Sequence, residues 1–197
     1  MANLSGVTEY KGHRAMQCEG VFDVFRDFLT DIKPTRILEI GTSVGGFTLF
    51  LRDVLNDLGL QSTTIRTYDI QDLSSYEELR ANNIEVYVEN MFINEETLEN
   101  TVKGYLSGEG TSLVLCDGNY KAKEFDVLSP YLKAGDYIMA HDYVDTWENF
   151  SENYKDKIWN WCEIRDIDIA KACEAYGLIP YNKANFDKVV WVCRKKI

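Results

Sequence analysis

The sequence predicts an α/β fold: a doubly wound, mostly parallel sheet in a single domain, with an antiparallel C-terminal edge strand. Three observations predict it. An apolar strand, Ile37-Leu38-Glu39-Ile40, runs through the glycine turn Gly41-Thr42-Ser43-Val44-Gly45-Gly46 into a helix whose inner stripe is Val44, Phe47, Leu51, Val54 and Leu58. Strand-like and helix-like stretches then alternate along the chain. It ends in two strand-like runs, Leu178 to Tyr181 and Phe186 to Cys193, around Asn182-Lys183-Ala184-Asn185, a hairpin that closes the sheet.

Composition sets the outer limits. The 197 residues make most simply one domain, long enough to bury about 70% of the surface its unfolded form would expose. Hydrophobic content of 45% with 27% charged residues is ordinary for a globular protein, and no apolar run approaches the roughly 20 residues needed to span a bilayer. The N-terminus, Met1 to Tyr10, lacks the basic and apolar regions of a signal peptide, which predicts a cytoplasmic protein without a membrane partner. Cys18, Cys116, Cys162, Cys173 and Cys193 are scattered, with no C-x-x-C pair and no histidine at metal spacing, and read as reduced, core-facing thiols. A net charge of −11 and a pI near 4.7 oppose nucleic-acid binding, because that affinity comes from Lys and Arg displacing counterions. The expected partner is a small molecule, and a homo-oligomer is left open.

Taken in order, residues 1–15 are polar and aperiodic and read as an N-terminal arm or cap; the domain proper is 16–197. From Gln17 to Thr30 the stripe Val21, Phe22, Phe25, Phe28 and Leu29 predicts a helix that Lys33-Pro34 closes. The glycine turn follows. Its spacing is neither the dinucleotide G-x-G-x-x-G nor a Walker loop, and Glu39 would repel a pyrophosphate while suiting a ligand with an ammonium group. Thr64 to Asp69 is a second strand ending in an acid about 20 residues on, the separation at which a βαβ site places a carboxylate on ribose hydroxyls. Ser75-x-x-Glu78 reads as a capping box, and Ile84 to Val88 as a third strand with Glu89-Asn90-Met91 at its C-terminal end. Asn94 is expected to cap a helix through Val102, Tyr105 and Leu106, with Ile93 and Leu98 as a staple and Ser107-Gly108-Glu109-Gly110 as the stop. Ser112 to Asp117 is a fourth strand, Lys121 to Leu132 a helix, Lys133-Ala134-Gly135-Asp136 a turn and Tyr137 to Tyr143 a fifth strand. Trp147, Phe150, Tyr154, Ile158 and Trp161 follow helical spacing and predict a helix over the sheet, a substrate lid being the alternative; Ile164 to Tyr176 is a last helix, ended by Gly177.

Two stretches carry a family resemblance. Glu39-x-Gly41-x-x-x-Gly45 resembles motif I of the class I S-adenosylmethionine-dependent methyltransferases, a Rossmann-like family. Residues 113–143 resemble its small-molecule, cephalosporin-hydroxylase-like members, in which D-G-x-H opens the helix after the fourth strand, a glycine turn precedes the fifth and H-D-Y closes it: here Asp117-Gly118, Gly135 and His141-Asp142-Tyr143. Tyr120 departs from the pattern, standing where that family has histidine, and Tyr10 to Phe28 is similar to the family's entry region.

The resemblance implies S-adenosylmethionine as cofactor. Gly41, Thr42, Ser43, Gly45 and Gly46 would lie beside its methionine moiety, Ser43 near the carboxylate and Glu39 serving the amine indirectly, with Asp69 on the ribose, Asn90 on the adenine amino group and Asp117 beside them. It further implies O-methylation of a small-molecule or sugar acceptor, for which Tyr143, Trp147 and Phe150 are candidate wall residues that would serve equally as core. Acids ending adjacent strands converge on one ion, so Asp117, His141 and Asp142 are candidate ligands for Mg2+. A neutral imidazole suits magnesium poorly, and His141 is equally a general base whose ordinary pKa is near 6.5. Catalytic candidates are therefore His141, Asp142 and Lys121, the lysine as a second base, with an exposed first-turn lysine as its plainer reading. The alternatives are an NAD(P)-binding oxidoreductase and a non-catalytic Rossmann-like interaction module.

Overall fold

The structure is a computed structural model, and residues 7–93 and 96–197 are described. Seven strands form the central sheet: β1 (Arg36–Ile40), β2 (Thr64–Asp69), β3 (Ile84–Val88), β4 (Ser112–Cys116), β5 (Tyr137–Ala140), β6 (Leu178–Pro180) and β7 (Val192–Lys196). Their spatial order is β3-β2-β1-β4-β5-β7-β6, so the chain winds outward from β1 in one direction and then from β4 in the other. β1 to β5 are parallel, and β7 runs antiparallel to both β5 and β6. The predicted α/β fold class therefore stands; the antiparallel strand is the C-terminal one, one place in from the three-residue edge strand β6.

Both sheet faces are covered, which is why the parallel strands read as near-continuous apolar runs. Ile37, Ile65, Leu113, Leu115 and Met139 face one core with Phe25 and Phe28 of α1 (Val21–Ile32) and Phe47, Leu51 and Val54 of α2 (Gly46–Asp57). Leu38, Ile40, Val114, Cys116 and Ile138 face the other, under Phe125 and Leu128 of α4 (Lys121–Leu128) and Ile169 and Ala172 of α5 (Asp166–Tyr176). The short α3 (Tyr76–Ala81), between α2 and α4 in sequence, packs Tyr76 and Leu79 into the first core.

Several expected elements are displaced, each for a local reason. α1 begins after Gly20, which sits at φ 85, so Gln17 belongs to the preceding loop, where it is buried. The capping box at α3 does not form: Ser75 is itself helical and makes no cap bond, and Glu78 pairs with His13 at 2.9 Å. α4 ends at Leu128 because Ser129–Tyr131 tightens into a 3-10 turn around Pro130, which has no N–H to continue the helix. The aromatic stripe from Trp147 is helical through Tyr154, finishing in a π turn; Trp147 and Ile158 are 53% and 46% exposed, so no continuous sheet-covering face exists. The predicted hairpin strand from Phe186 is instead helical over Lys183–Phe186 and Asp187–Val189, because Phe186 packs edge-on against Phe25 and Phe28. Ile164 lies outside α5 and bridges to Tyr143. The proposed Asn94 cap falls outside the described residues.

Residues 7–15 lie against α2. Glu9–Tyr10 pairs antiparallel with His13–Arg14, and the Tyr10 ring meets Phe22 and Phe50 edge-on. A Cβ at Gly46 would stand 2.6 Å from the carbonyl oxygens of both His13 and Arg14. The second glycine of the pair thus admits this segment to the helix, a packing role rather than a ligand role. All five cysteines are free. Among the described residues no helix is long and apolar enough to cross a membrane.

Candidate active site

A cavity of about 770 Å3 opens at the C-terminal ends of the parallel strands, where ligands of open α/β sheets bind. Glu39, Gly41, Thr42, Ser43, Asp69, Asn90, Asp117, Lys121, His141 and Asp142 line it, so the structure brings together most of the sequence-predicted site residues. Gly45 and Gly46 do not line it: Gly45, at φ 87, faces the Leu79 side chain, and Gly46 faces the N-terminal segment.

On the β1–β2 side the turn is drawn tight around backbone contacts. Gly41, at φ 93, lies so close to β4 that a Cβ there would stand 2.2 Å from the Asp117 carbonyl oxygen. Ser43 also takes a left-handed conformation, at φ 50. Its N–H donates to Asp69 Oδ2 at 2.8 Å and its carbonyl accepts from the Tyr76 hydroxyl at 2.9 Å. Asp69 Oδ1 accepts from the Gln71 N–H at 2.9 Å, so the β2 carboxylate orders both loops at the rim. Glu39 lies beneath, almost fully buried, accepting from the hydroxyls of Thr48 at 2.7 Å and Thr67 at 2.6 Å. Burial pushes its carboxyl up to about 7, against the pull of those two hydrogen bonds.

The β4–β5 side is a cluster of charges. Lys121 Nζ lies 2.8 Å from Glu163 Oε2, 2.9 Å from Asp142 Oδ2 and 3.6 Å from Asp117 Oδ1, and donates to the Gly118 carbonyl at 3.0 Å. Its side chain is 5% exposed, which overturns the expectation of an exposed first-turn lysine. Burial alone would lower its pKa, but Asp117 and Asp142 outweigh it and hold the ammonium protonated, which opposes the base role. His141 Nδ1 lies 3.1 Å from Asp117 Oδ1 and 3.6 Å from Asp142 Oδ1. Its ring packs beside Trp159 and Trp191, and Nε2 is buried without a partner among the described residues. Burial works to lower the imidazole pKa, yet the two carboxylates carry it above its ordinary value; Asp142 is held below the usual carboxylate range, burial being outweighed by His141 and Lys121.

Sequence reasoning missed the groups that fix this cluster. Buried Gln17 donates through Nε2 to Asp117 Oδ2 at 2.9 Å and accepts from Trp191 Nε1 at 2.8 Å. Trp159 Nε1 donates to Asp142 Oδ1 at 2.5 Å. Glu124 accepts from the N–H groups of Gly118 and Tyr120 at 3.1 and 3.0 Å, holding the turn into α4; a glutamate one turn inside a predicted helix start was the available signal. The expected wall aromatics are misplaced. Tyr143 and Phe150 are core residues and Trp147 does not line the cavity, whose aromatic lining is Phe47, Tyr68, Phe92, Tyr120, Trp159 and Trp161. Tyr120, at the histidine position of the pattern, is 75% exposed at the rim.

Ligand atoms of Asp117, His141 and Asp142 all lie within 4.8 Å of one another, the convergence a cation site requires. Magnesium asks for near-octahedral oxygen ligands. Here one of the three donors is an imidazole, and an ammonium group stands 2.9 Å from an Asp142 oxygen. As they stand, these residues do not fit the ion.

The family model described as Rhamnosyl O-methyltransferase/CmcI matches residues 4–164. No curated protein matches the chain. Among solved structures, a CmcI apo-structure is similar at TM-score 0.65 and 17% identity, over 96% of this chain and 76% of that one. A CmcI structure with Mg and SAM is similar at TM-score 0.62 and 18% identity, over 96% and 77%. An O-methyltransferase family protein from Burkholderia thailandensis gives TM-score 0.55 and 10% identity, over 89% and 55%. At these identities the structural likeness establishes the Rossmann-like fold. With the matched family model, it defines an S-adenosylmethionine-dependent O-methyltransferase. More particularly, the chain belongs to the Rhamnosyl O-methyltransferase/CmcI family.

Proposed function

We propose that residues 16–197 form the catalytic domain of a cytoplasmic enzyme that methylates a hydroxyl oxygen of a small molecule, a sugar or similar metabolite, with residues 7–15 as a cap over the cofactor end. The observation that carries this reading is that the β1 turn, Asp69 and the Asp117–Lys121–His141–Asp142 cluster open on one cavity. Its volume suits a nucleoside cofactor and a small acceptor together.

S-adenosylmethionine, when bound, supplies a sulfonium methyl that an oxygen nucleophile can take, the carbon–sulfur electron pair leaving on sulfur. The chain's own residues fit that group. The Gly41 turn would let backbone approach it, Ser43 in the same turn would serve its carboxylate, and Asp69 would offer carboxylate lone pairs to ribose hydroxyls. Glu39 supplies a buried acid whose ionisation an ammonium group would favour, and Asn90 lines the same cavity, where it would take the amino group of the base. A net charge of −11 leaves a nucleic-acid acceptor without the lysine and arginine surface it needs.

His141 is the proton acceptor in this reading, the group of the cluster with an ordinary pKa near neutrality. Because its carboxylate neighbours raise that pKa, the neutral, base-competent form is lost as pH falls through a value above its ordinary one. Calorimetry with S-adenosylhomocysteine, using NAD as the contrasting ligand, tests the cofactor assignment: binding of the former and not the latter is expected. Failure of S-adenosylhomocysteine to bind overturns the reading, and salt-sensitive affinity for DNA or RNA overturns the choice of acceptor. With an acceptor found, His141→Gln should abolish the acid limb of the rate profile.

A further inference from the structure

The geometry points to Lys121 as the resident cation of this site: its ammonium bridges Asp117 and Asp142 where a divalent ion would lie, and it supplies the counter-charge to an acceptor oxygen losing its proton. This rests on the O-methyltransferase reading and deepens it.

The lysine is fixed from both sides of the cluster. Its three N–H donors have three oxygens in reach, Asp142 Oδ2 at 2.9 Å, Glu163 Oε2 at 2.8 Å and the Gly118 carbonyl at 3.0 Å, with Asp117 Oδ1 at 3.6 Å as a charge contact. Every oxygen of the two aspartates already faces a protein donor. Asp142 Oδ1 takes the Trp159 indole and Asp117 Oδ2 takes the Gln17 amide, while Asp117 Oδ1 faces His141 and Lys121. A hexacoordinate ion would have to strip these donors and then share the carboxylates with an ammonium that the Gly118 carbonyl also holds.

The charge is also where the reaction needs it. Lys121 and Glu163 line the cavity, and Glu163 is the half-exposed member of the cluster, so an incoming oxygen can replace it on Nζ with little disturbance to Asp117 or Asp142. The balance is closed without a metal. The hydroxyl proton passes to His141, an oxygen electron pair forms the bond to the methyl carbon, and the carbon–sulfur pair leaves with sulfur. Lys121 keeps its proton throughout, its field favouring the ionised oxygen over the neutral one.

Manganese(II), followed by electron paramagnetic resonance as a stand-in for magnesium, tests the assignment in the full chain with and without S-adenosylhomocysteine, whose own binding is measured by calorimetry in the same samples. The wild type is expected to bind S-adenosylhomocysteine, to show no saturable manganese uptake at millimolar ion, and to keep its methyl transfer in excess chelator. Lys121→Met should lose methyl transfer and gain manganese uptake. A saturable manganese signal in the wild type that Asp142→Asn removes overturns the inference, and this arm needs no lysine variant to fold. Absence of S-adenosylhomocysteine binding would instead overturn the methyltransferase reading, while the manganese arm still decides whether Lys121 excludes the ion.

Discussion

On the β1–β2 side of the cavity, Glu39 is a single buried acid held by two threonine hydroxyls and, among the described residues, by no cation. On the β4–β5 side, Asp117 and Asp142 are held by an ammonium, an imidazole, an amide and an indole. The same problem, a carboxyl taken out of water, is solved in opposite ways. Near Glu39 the neutral form is favoured, which leaves the site ready for a ligand that brings its own positive charge. Near Asp142 the charge is kept and compensated in place, so the site is complete before any ligand arrives.

Gly41→Ala should damage both halves at once and gives the largest expected effect. The added Cβ would meet the Asp117 carbonyl at 2.2 Å from a left-handed backbone, so the β1 turn and the β4 end must separate. A loss beyond about 4 kcal/mol in chemical denaturation is expected, with no S-adenosylhomocysteine binding. A folded, binding-competent alanine variant would show that the two halves are not mechanically joined here.

Lys121→Met acts on the charged half alone. Removing the ammonium leaves the largely buried Asp142 and Asp117 short of a cation, which costs about 3 kcal/mol or more when one member of a buried pair is removed. Urea unfolding measures it. A variant as stable as the wild type would mean that water already screens this cluster as it does a surface pair.

The difference between the halves also explains what could be read in advance. Glu39, Gly41 and Asp69 belong to one strand-turn-helix-strand unit, where backbone conformation and spacing along the chain dictate position, and all three line the cavity. Asp117, His141 and Asp142 followed from the ends of adjacent strands. The groups that pair with them did not: Gln17 precedes α1, and Trp159 and Glu163 sit in the loop before α5, so each reaches the cluster through tertiary packing that has no sequence period. Lys121 looked exposed because a polar residue on a first helical turn usually is; three carboxylates from separate segments bury it. The predicted strand starting at Phe186 begins only at Val192, where it does pair antiparallel with Leu178–Pro180, since a short apolar stretch such as Phe186 to Val189 reads alike as a buried strand or as helical turns filled by aromatics.

Glu39 sharpens the comparison through pH. Its carboxyl titrates at about 7 in the fold against 4.5 ordinarily. A raised pKa gives stability that is full below the ordinary value and lost as pH rises through the folded one. Stability of the ligand-free protein should therefore fall between pH 4.5 and about 7 by an amount on the order of 3 kcal/mol, relative to Glu39→Gln, which cannot titrate. Asp142, held low, works in the other direction: its contribution is present above the ordinary carboxylate range and is lost as pH falls through its lowered pKa. Denaturation curves for both proteins across that window isolate the Glu39 contribution, and identical slopes would show that its burial is not resisting ionisation. Binding a cationic ligand should release a proton in the same window, which calorimetry in buffers of different ionisation enthalpy detects.

The smallest expected effect belongs to Asp69, and it separates affinity from stability. Its carboxylate accepts from the N–H groups of Ser43 at 2.8 Å and Gln71 at 2.9 Å, both at the open rim of the cavity. Water can replace it on those donors once the side chain is gone, so Asp69→Ala should cost about 1 kcal/mol of folding stability, the ordinary worth of such bonds when no buried group is orphaned. Affinity is a different matter. In the bound state the same carboxylate would take ribose hydroxyls, and a charged acceptor of hydroxyl protons is worth about 1.5 kcal/mol or more, roughly a tenfold weakening. Asp69→Asn keeps one carbonyl acceptor for Ser43 and should lie between alanine and wild type in stability while losing nearly as much affinity as alanine. Calorimetry with S-adenosylhomocysteine, paired with thermal melts of the free proteins, reads the two effects separately. Equal losses in both would place Asp69 among the residues that merely shape the rim, and unchanged affinity would remove the ribose assignment altogether.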